Sequence, residues 1–432
     1  MIKKFADVGL TASLVETLST IGFDIPTPVQ MQTIPHILAG RDICASAATG
    51  TGKTGAYLLP VIDILTHSRN RAGMPRVVIL EPTRELASQV MENFKSFATH
   101  TNLKAALLVG GEWMNEQEKQ LKRKPDIIIA TPGRLLDIFE RGKLIAHHLG
   151  ILVVDEADRM LDMGFMPDVE RIIKFCPPHH QTILFSATFP PALKGLINSL
   201  LTDPKHIEVS QQSKPAVTIK QYKVPVTSAD QKREVLRALL RRHPGSSAIV
   251  FCNRKKDVDI VAKSLIKHGF LGMPIHGDLA QNLRNETLDK FRTEKGLILV
   301  ASDVAARGID IDDLPFVVNF DLPINAEDYI HRIGRTGRAG KEGISYSLVT
   351  PRDDKFFKAI KKLIGSDLEE LTIDIDPLEP RPVREKPLSR TRMKNVHTDK
   401  SENSDSLVGF GPRIPRFMQV DLSKYLTDQT AV

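Results

Sequence analysis

The segment CASAATGTGKTGAY, at residues 44–57, contains most of a phosphate-binding loop. The strict pattern is Gly, four residues and then Gly-Lys-Ser/Thr. Gly52, Lys53 and Thr54 fit this pattern, but Ala47 stands where the first glycine is expected. The segment therefore predicts either a nucleotide site or a turn of small residues that happens to contain a lysine.

The flanking sequence favours the nucleotide site. A phosphate loop must follow a strand and begin a helix, because backbone N–H groups and the helix dipole then face the anion. RDICASA at 41–47 is a short strand candidate, and TGAYLLPVIDILT at 54–66 has helical spacing. In this arrangement Lys53 would reach the outer phosphates and Thr54 would ligate Mg²⁺, while the loop glycines would allow a tight backbone.

Short apolar runs alternate with helical patterns in both halves of the chain. Runs that are apolar throughout are typical of strands buried on both faces of a parallel sheet. Repetition of strand, helix and strand requires right-handed crossovers, so the sequence predicts an α/β fold with doubly wound parallel sheets. The predicted strands are 76–82, 126–132, 151–156, 182–188, 248–253, 273–277, 297–302, 316–321 and 344–349.

Composition divides the chain into four parts. Residues 1–210 and 219–376 are the two predicted α/β domains, and the polar, proline-containing stretch 211–218 is predicted to link them. The tail at 377–432 is basic, with seven Lys or Arg between 381 and 400. Such a segment buries too little apolar surface to offset its ordering entropy, so we expect it to be disordered.

The whole chain has the composition of a globular protein with a modest positive charge. Its 59 Lys plus Arg against 52 Asp plus Glu permit an anionic partner without requiring one. The three widely spaced cysteines form no CxxC pair, so neither a disulfide framework nor a zinc site is predicted. The N-terminus lacks the apolar core of a signal peptide, and the apolar runs fall far short of the about 20 residues of a membrane span. We therefore expect a cytoplasmic protein with no membrane contact.

A second constellation suits the metal that accompanies a bound nucleotide. The predicted strand ILVV at 151–154 is followed directly by Asp155, Glu156, Ala157 and Asp158. One carboxylate at such a strand end can hold the metal's waters, and its neighbour can polarise the attacking water. A solvated acidic loop, the alternative, does not explain why the carboxylates directly end a buried strand.

The sequence DEAD at 155–158 resembles the signature of the DEAD-box RNA helicases, whose phosphate loop typically has alanine where Ala47 lies. The resemblance covers about residues 3–365 and implies two tandem RecA-like domains that use ATP and Mg²⁺ and act on RNA. Its motifs occur in order as GFDIPTPVQ (22–30), PTRELA (82–87), Gly110-Gly111, TPGR (131–134), SAT (186–188), IVFCNRK (249–255), HGDLAQNLR (276–284), SDVAARGID (302–310) and HRIGRTGR (331–338).

The resemblance implies nucleotide contacts from both domains. Gln30 resembles the glutamine that reads adenine, since an amide can bond N6 and N7 together. Phe5 stands where the family places an aromatic on the adenine face, with ordinary core packing as the alternative. His331 resembles a γ-phosphate and interdomain contact, and Asp310 resembles the residue that bonds the ribose in the closed state. The implied contacts in the phosphate loop are Ala47, Thr49, Gly50, Thr51, Gly52, Lys53 and Thr54, with Thr54 and Asp155 holding Mg²⁺ partly through water.

Catalytic roles are implied for residues of both domains. Arg335 and Arg338 resemble the arginines that reach the γ-phosphate when the domains close, a placement worth about 10³–10⁵ in rate. They are three residues apart and would share a face of a helix. The other implied catalytic residues are Lys53, Asp155 and Glu156.

Ser186 and Thr188 lie at a predicted strand end, where their hydroxyls can bond the DEAD carboxylates. By resemblance this motif couples hydrolysis to RNA strand separation, and a plain pair of strand-end hydroxyls is the alternative.

The implied RNA face consists of hydroxyls, glycines and arginines rather than base-reading amides. Such groups position a strand and carry little sequence information, while contacts to 2′-OH groups would favour RNA over DNA. The candidates are Pro82, Thr83, Arg84, Gly111, Thr131, Arg134, Gln281, Arg284 and Ser302.

Three positions depart from the family pattern. Ala48 stands where glutamine is common, Ser302 where threonine is usual, and Asn253 where threonine or a similar residue is common. Ser302 keeps its hydroxyl, so we expect activity to be retained with some change in RNA affinity.

The sequence thus predicts a monomeric ATP-dependent RNA helicase that opens short duplexes, with ribosomal particles or an RNA-decay complex as partners. A non-catalytic RNA clamp is the alternative, although it would require loss of Lys53, Glu156 or Arg335. A translocating DNA helicase is disfavoured by the motif around Gln30 and by the DEAD spelling.

Overall fold

A computed structural model describes residues 4–47, 50–70, 73–209, 219–306, 311, 314–337 and 342–374. The predicted linker at 211–218 and the predicted disordered tail at 377–432 lie outside these residues. We call the described residues up to 209 the first lobe and those from 219 to 374 the second lobe.

The first lobe is built on a seven-stranded parallel sheet in the order β3-β4-β2-β5-β6-β1-β7. Its strands are β1 Ile43–Ser46, β2 Val77–Leu80, β3 Ala105–Leu108, β4 Ile127–Ala130, β5 Ile151–Val154, β6 Gln181–Ser186 and β7 Lys205–Glu208. Its helices are α1 Ala12–Thr20, α2 Pro28–Leu38, α3 Lys53–Thr66, α4 Arg84–Phe97, α5 Met114–Lys122, α6 Pro132–Glu140, α7 Ala157–Asp162, α8 Met166–Ile173 and α9 Pro191–Leu200, after a 3₁₀ turn at Phe5–Val8.

The second lobe repeats this plan with the strand order β10-β11-β9-β12-β13-β8-β14, again all parallel. Its strands are β8 Ile219–Pro225, β9 Ala248–Cys252, β10 Leu271–Ile275, β11 Leu297–Ser302, β12 Phe316–Asn319, β13 Gly343–Val349 and β14 Glu369–Glu370. Its helices are α10 Ala229–Arg242, α11 Lys255–Lys267, α12 Gln281–Thr293, α13 Asp303–Ala306, α14 Ala326–Ile333 and α15 Asp354–Ile364, with a 3₁₀ turn at Pro351–Asp353.

Alternate residues of each strand pack into different cores, as the two-residue period of a strand requires. In β5, Ile151 and Val153 belong to one apolar cluster, while Leu152 and Val154 belong to another on the opposite face. Strands β9 and β11 divide in the same way between the two clusters of the second lobe. Helices therefore cover both faces of each sheet, which confirms the predicted doubly wound fold.

The predicted strands are confirmed, but four others were missed, namely β3, β7, β8 and β14. Three of them lie at the edges of a sheet, where one flank lacks a strand partner and a long apolar run is not required. Strand β7 has the sequence KHIE, in which only Ile207 is buried. Strand β8 is mostly half-buried and carries Lys220 and Lys223, so its sequence resembles that of a linker.

In the described part of the chain, no helix is both long and apolar enough to cross a membrane. Cys44 and Cys252 are buried free thiols on β1 and β9, and Cys176 is also free, as their spacing predicts.

Candidate functional site

The phosphate loop connects β1 to α3, in the predicted strand–loop–helix arrangement, and α3 begins at Lys53. Gly50 and Gly52 have φ values of 81° and 91°, in the left-handed region that favours glycine. A Cβ atom at Gly52 would lie only 2.7 Å from the Gln30 side-chain nitrogen. Thr49 lies outside the described residues. The 14-residue helix α3 directs its N-terminal N–H groups to the loop, a geometry that suits phosphate.

The DEAD carboxylates lie beside this loop at the carboxyl end of β5. Lys53 Nζ is 2.7 Å from Glu156 Oε1 and 4.0 Å from Asp155 Oδ1, and all three side chains are buried. Glu156 has φ 53° and ψ 48°, a left-handed conformation that is unusual for a side-chain-bearing residue. Such backbone strain persists where the surroundings enforce it, often in functional sites. Here the Glu156 N–H donates to Asp155 Oδ1 at 2.8 Å.

The buried carboxyl groups at this edge differ in their protonation. Burial opposes ionisation of Glu156, but the Arg159 guanidinium, 3.2 Å away, and the Lys53 ammonium hold its pKa well below the usual range. Burial raises the pKa of Asp155 to about 6, against the pull of Lys53. Burial, with Asp155 and Glu156 nearby, raises the pKa of Glu81 well above its ordinary value, although Tyr57 donates to it at 3.1 Å. These opposite shifts favour the ionised form of Glu156 and the neutral form of Glu81.

The structure places Gln30 next to the phosphate loop. Its amide oxygen accepts from the Thr27 N–H at 2.9 Å, and its amide nitrogen donates to the Gly52 carbonyl at 3.0 Å. The first bond is half of a capping box at the start of α2. Gln30 thus connects the cap of α2 to the loop, and its reading of adenine stays a prediction.

Phe5 packs in the core of the first lobe and is only 1% exposed. This position fits the alternative of core packing, and stacking on adenine stays a prediction.

The SAT hydroxyls bind Asp158, the last residue of DEAD, rather than the first two carboxylates, and only Thr188 reaches the Asp158 carboxylate. Thr188 donates to Asp158 Oδ2 from its hydroxyl at 3.1 Å and from its N–H at 2.9 Å. Ser186 Oγ accepts from the Asp158 N–H at 3.2 Å. Burial raises the pKa of Glu327 in the second lobe, and Thr188 lies near enough to oppose this shift. The SAT segment therefore binds the start of α7 and lies close to the start of α14.

The second lobe also presents His331 to the first. His331 lies on α14, close enough to Glu156 to lower the pKa of that carboxyl. Arg335 was expected on a helix, and this prediction is wrong, because α14 ends at Ile333 and is capped by Gly334. Arg335 follows in a turn, where its carbonyl accepts from the Leu314 N–H. Arg338 and Asp310 lie outside the described residues.

Sequence reasoning missed Arg332, which is only 2% exposed. Its guanidinium forms two 2.6 Å bonds to the Asp303 carboxylate and donates to Asn253 Oδ1 at 2.9 Å and to the Asp321 carbonyl at 2.6 Å. It also lies over the Phe251 ring. Asn253, which departs from the family pattern, is a hydrogen-bond partner of this arginine. Nothing in the spacing of HRIGRTGR distinguishes a buried arginine from a catalytic one.

Replacing Arg332 by leucine should destabilise the second lobe by about 3–5 kcal/mol, because it leaves the Asp303 carboxylate without its buried partner. Urea denaturation of the whole chain measures this loss. Arg254→Leu is the matched control, since Arg254 is an exposed arginine of the same lobe paired with Asp257, and such surface pairs contribute little to stability. A loss no larger than that of the control would contradict the assigned role.

Seven of the nine predicted RNA residues line one cleft of about 340 Å³ between the lobes. Gly111 adjoins it, since a Cβ there would overlap the Arg84 guanidinium. Ser302 is buried at the end of β11 and does not line the cleft. The predicted residues in the lining are Pro82, Thr83, Arg84, Thr131, Arg134, Gln281 and Arg284.

Polar contacts across this cleft hold the lobes together. Arg84 donates to Gln281 Oε1 at 2.8 Å, and Arg284 Nε is 3.1 Å from Glu85 Oε1. Burial lowers the pKa of Arg284, although Glu85 opposes the shift. Glu85 was not predicted, since it follows Arg84 in PTRELA and only the fold brings it to α12. With three arginines against one glutamate, counting Arg134, the lining suits an anionic strand.

Comparisons with known proteins agree with this geometry. Residues 27–196 match the model of the DEAD/DEAH box helicase family, and residues 231–340 match the helicase conserved C-terminal domain. The chain is 41% identical to the DEAD-box ATP-dependent RNA helicase CshA of Bacillus cereus over 85% of this chain and 69% of that protein. It is also 41% identical to the DEAD-box ATP-dependent RNA helicase 40 of Arabidopsis thaliana, over 83% of this chain and only 33% of that longer protein.

Among solved structures, S. cerevisiae Dbp5 bound to RNA and ADP BeF3 superposes with a TM-score of 0.76 at 30% identity. The match covers 86% of this chain and 96% of that one. The two sheets are therefore tandem RecA-like folds, and the phosphate loop, the DEAD carboxylates and the SAT hydroxyls occur together in one lobe. This chain belongs to the DEAD-box ATP-dependent RNA helicases.

Proposed function

We propose that this helicase hydrolyses ATP with Lys53, Asp155 and Glu156 of the first lobe and with Arg335 and Arg338 of the second. RNA bound in the cleft lined by Arg84, Arg134 and Arg284 favours closure of the lobes. The observation that carries the proposal is the position of a buried, ionised Glu156 beside Lys53 and within electrostatic reach of His331. The two lobes correspond to an ATP-binding domain within 1–210 and a C-terminal helicase domain within 219–376.

Magnesium fits the donors at this edge. No cluster of three or more His, Cys, Asp or Glu suited to a metal occurs among the described residues. Mg²⁺ rarely uses such a cage and takes one or two protein oxygens beside phosphates and waters. The Asp155 carboxylate and the Thr54 hydroxyl would supply these oxygens. Mg²⁺ held by these oxygens would supply positive charge that offsets the negative charge of the phosphates.

The chain's own residues then perform three tasks. Lys53 exchanges Glu156 for phosphate oxygens, which leaves Glu156 charged beside Arg159. Glu156 orients the attacking water and accepts its proton, a role open only to the ionised carboxylate. Arg335 and Arg338 stabilise the charge that develops on the phosphoryl group once the lobes close. The contacts of Thr188 with Asp158 and Glu327 connect this site to lobe movement.

Gln30→Ala should weaken ATP binding more than GTP binding, because the adenine edge loses a partner that contacts two of its atoms. The Kd for ATP should rise on the order of ten-fold more than the Kd for GTP, as expected for the loss of one such contact. Titration of both nucleotides against wild type and variant measures it.

Thr27→Val is the control for that variant. Thr27 belongs to the same cap of α2 but its side chain has no amide to offer the base. This variant should weaken ATP and GTP equally. Equal losses in Gln30→Ala would show that Gln30 supports the loop rather than reading the base.

We propose that the cleft lined by Arg84, Arg134 and Arg284 grips the backbone of single-stranded RNA. Arg134→Ala should weaken RNA binding to a similar extent for all sequences and lower the salt dependence of log Kd by about one. Arg41→Ala is the control, because Arg41 is an exposed arginine at the amino end of β1 that pairs with Asp203. Equal effects of the two variants on RNA affinity and on its salt dependence would show that this cleft is not the RNA-binding site.

We propose a cytoplasmic, monomeric enzyme that acts locally on structured RNA, in ribosome assembly or RNA decay. Groups that bind the RNA backbone confer little sequence specificity, so the target must be determined by where the protein is recruited. RMLDMGF after DEAD and the compact core resemble bacterial helicases of ribosome assembly and cold adaptation. Crosslinking in cells followed by sequencing of bound RNA identifies the target, and a scatter of unrelated messenger RNAs would argue against the ribosomal role.

A further inference from the structure

Trp113 is the single tryptophan of the chain and is 85% exposed, more than any other large apolar side chain among the described residues. Tryptophan is usually buried over most of its surface, and leaving it in water forgoes a large hydrophobic gain. It precedes α5, whose residues include only one that is fully buried, Gln117. Trp113 therefore contributes little to the core of the first lobe.

Arg134 connects Trp113 to the cleft between the lobes. Its guanidinium donates to the Glu112 carbonyl at 3.0 Å and lies 3.5 Å from the Met114 sulfur, so it contacts the residues on both sides of Trp113. Arg134 itself lines the cleft. Gly111, two residues earlier and thus at most about 7 Å away along the chain, packs against Arg84. The backbone at Trp113 is consequently held close to the cleft, and its indole is exposed there.

The charges around Trp113 favour a base rather than a phosphate as its ligand. Glu112 is its acidic neighbour along the chain and would repel a phosphate at this rim, whereas Glu116 is paired with Lys119. The arginines deeper in the cleft attract the backbone and leave the bases of the strand unbound. Aromatic side chains at such positions stack on bases irrespective of sequence.

We propose that Trp113 stacks on an unpaired base of RNA at the rim of the cleft, an inference that rests on the proposed RNA site. The contact adds a platform for a base to a site that otherwise grips the backbone. Because purines stack more strongly than pyrimidines, it also gives a modest preference for adenine over uracil at one position.

The emission of Trp113 tests this directly, since no other tryptophan contributes. Short oligoadenylate is titrated into the whole chain with Mg²⁺ and a non-hydrolysable ATP analogue. Stacking predicts quenching that saturates with the same Kd as RNA binding measured independently by anisotropy. Unchanged emission at saturating RNA would overturn the proposal.

Trp113→Ala should weaken RNA binding about five- to hundred-fold, as expected for the loss of one stacked base, and should reduce the preference for oligoadenylate over oligouridylate. Trp113→Phe should retain most of the affinity. The salt slope should stay that of wild type, because stacking releases no counterion. Ile266→Ala, another exposed apolar residue on α11, is the control and should bind as wild type.

Failure of this inference differs from failure of the proposed RNA site. If Arg134→Ala weakens binding but Trp113→Ala does not, the cleft binds RNA and Trp113 is not part of it. If neither variant changes binding, the cleft itself is wrongly assigned. An emission that changes with protein concentration in the absence of RNA would assign Trp113 to a contact between two copies and overturn the proposal.

Discussion

Glu156→Gln should reduce ATP hydrolysis by about 10²-fold or more while leaving ATP and RNA binding largely intact. The amide is nearly isosteric with the carboxylate and can still accept a hydrogen bond from Lys53, so the buried site keeps its shape. It cannot accept a proton from the attacking water. We expect the lobes to reopen only after hydrolysis, so the closed protein should persist on single-stranded RNA in the presence of ATP. Steady-state turnover and the rate of RNA release measure the two effects.

The same edge of the sheet provides a matched control, Glu81→Gln. Both carboxyl groups are buried near Lys53, but burial raises the pKa of Glu81 and favours its neutral form, whereas Arg159 and Lys53 favour the ionised form of Glu156. Glutamine therefore resembles the favoured form of the side chain at position 81 and removes the charge favoured at position 156. Glu81→Gln should keep turnover in the order of magnitude of wild type. Rapid RNA release from Glu156→Gln under ATP, or an equal loss in both variants, would contradict the role of Glu156.

The sequence predicts the interior of this fold better than its margins. Strands such as Ile151–Val154 are apolar at every position because helices cover both of their faces, and this pattern is visible without a structure. An edge strand such as Lys205–Glu208 buries a single side chain and is visible only once its partner β1 is known. Strands are therefore predicted less accurately from the sequence where fewer of their side chains are buried.

The site shows the same limit. That Asp155 and Glu156 end a buried strand follows from their order in the chain, but that the SAT hydroxyls bind Asp158 depends on the turn into α7. Arg332 and Arg335 are equivalent in the sequence HRIGRTGR, although one is buried against Asp303 and the other follows the end of the helix. A motif identifies which residues matter, while long-range packing decides what each one contacts.

The division of the active site between two lobes has a consequence for its regulation. Lys53 and Glu156 lie on the first lobe and Arg335 on the second, so neither lobe contains the whole site. RNA in the cleft lined by Arg84 and Arg284 would contact both lobes and favour the closed arrangement. ATP and RNA are then linked through one conformational equilibrium, and each should increase the affinity for the other.

Arg335→Ala should remove most of the stimulation of ATPase activity by RNA, with a loss of about 10³-fold or more if Arg335 acts as an arginine finger. ATP binding should be nearly unchanged, because the Gln30 and Lys53 contacts belong to the first lobe. Arg335→Lys should restore little, since an ammonium lacks the planar fork that binds two phosphate oxygens.

Arg233→Ala is the control for this loss, because it removes a charge from α10 of the same lobe, outside the family motifs, where Arg233 pairs with the exposed Asp230. It should leave RNA stimulation intact. ATPase rates with and without single-stranded RNA and DNA are measured beside the unwinding of RNA duplexes of increasing length. Since each closure of the lobes separates only a short stretch of RNA, the wild-type protein should unwind short duplexes but not long ones. High turnover without RNA, or efficient opening of long duplexes, would contradict a mechanism in which RNA completes the site by bringing Arg335 to the phosphates.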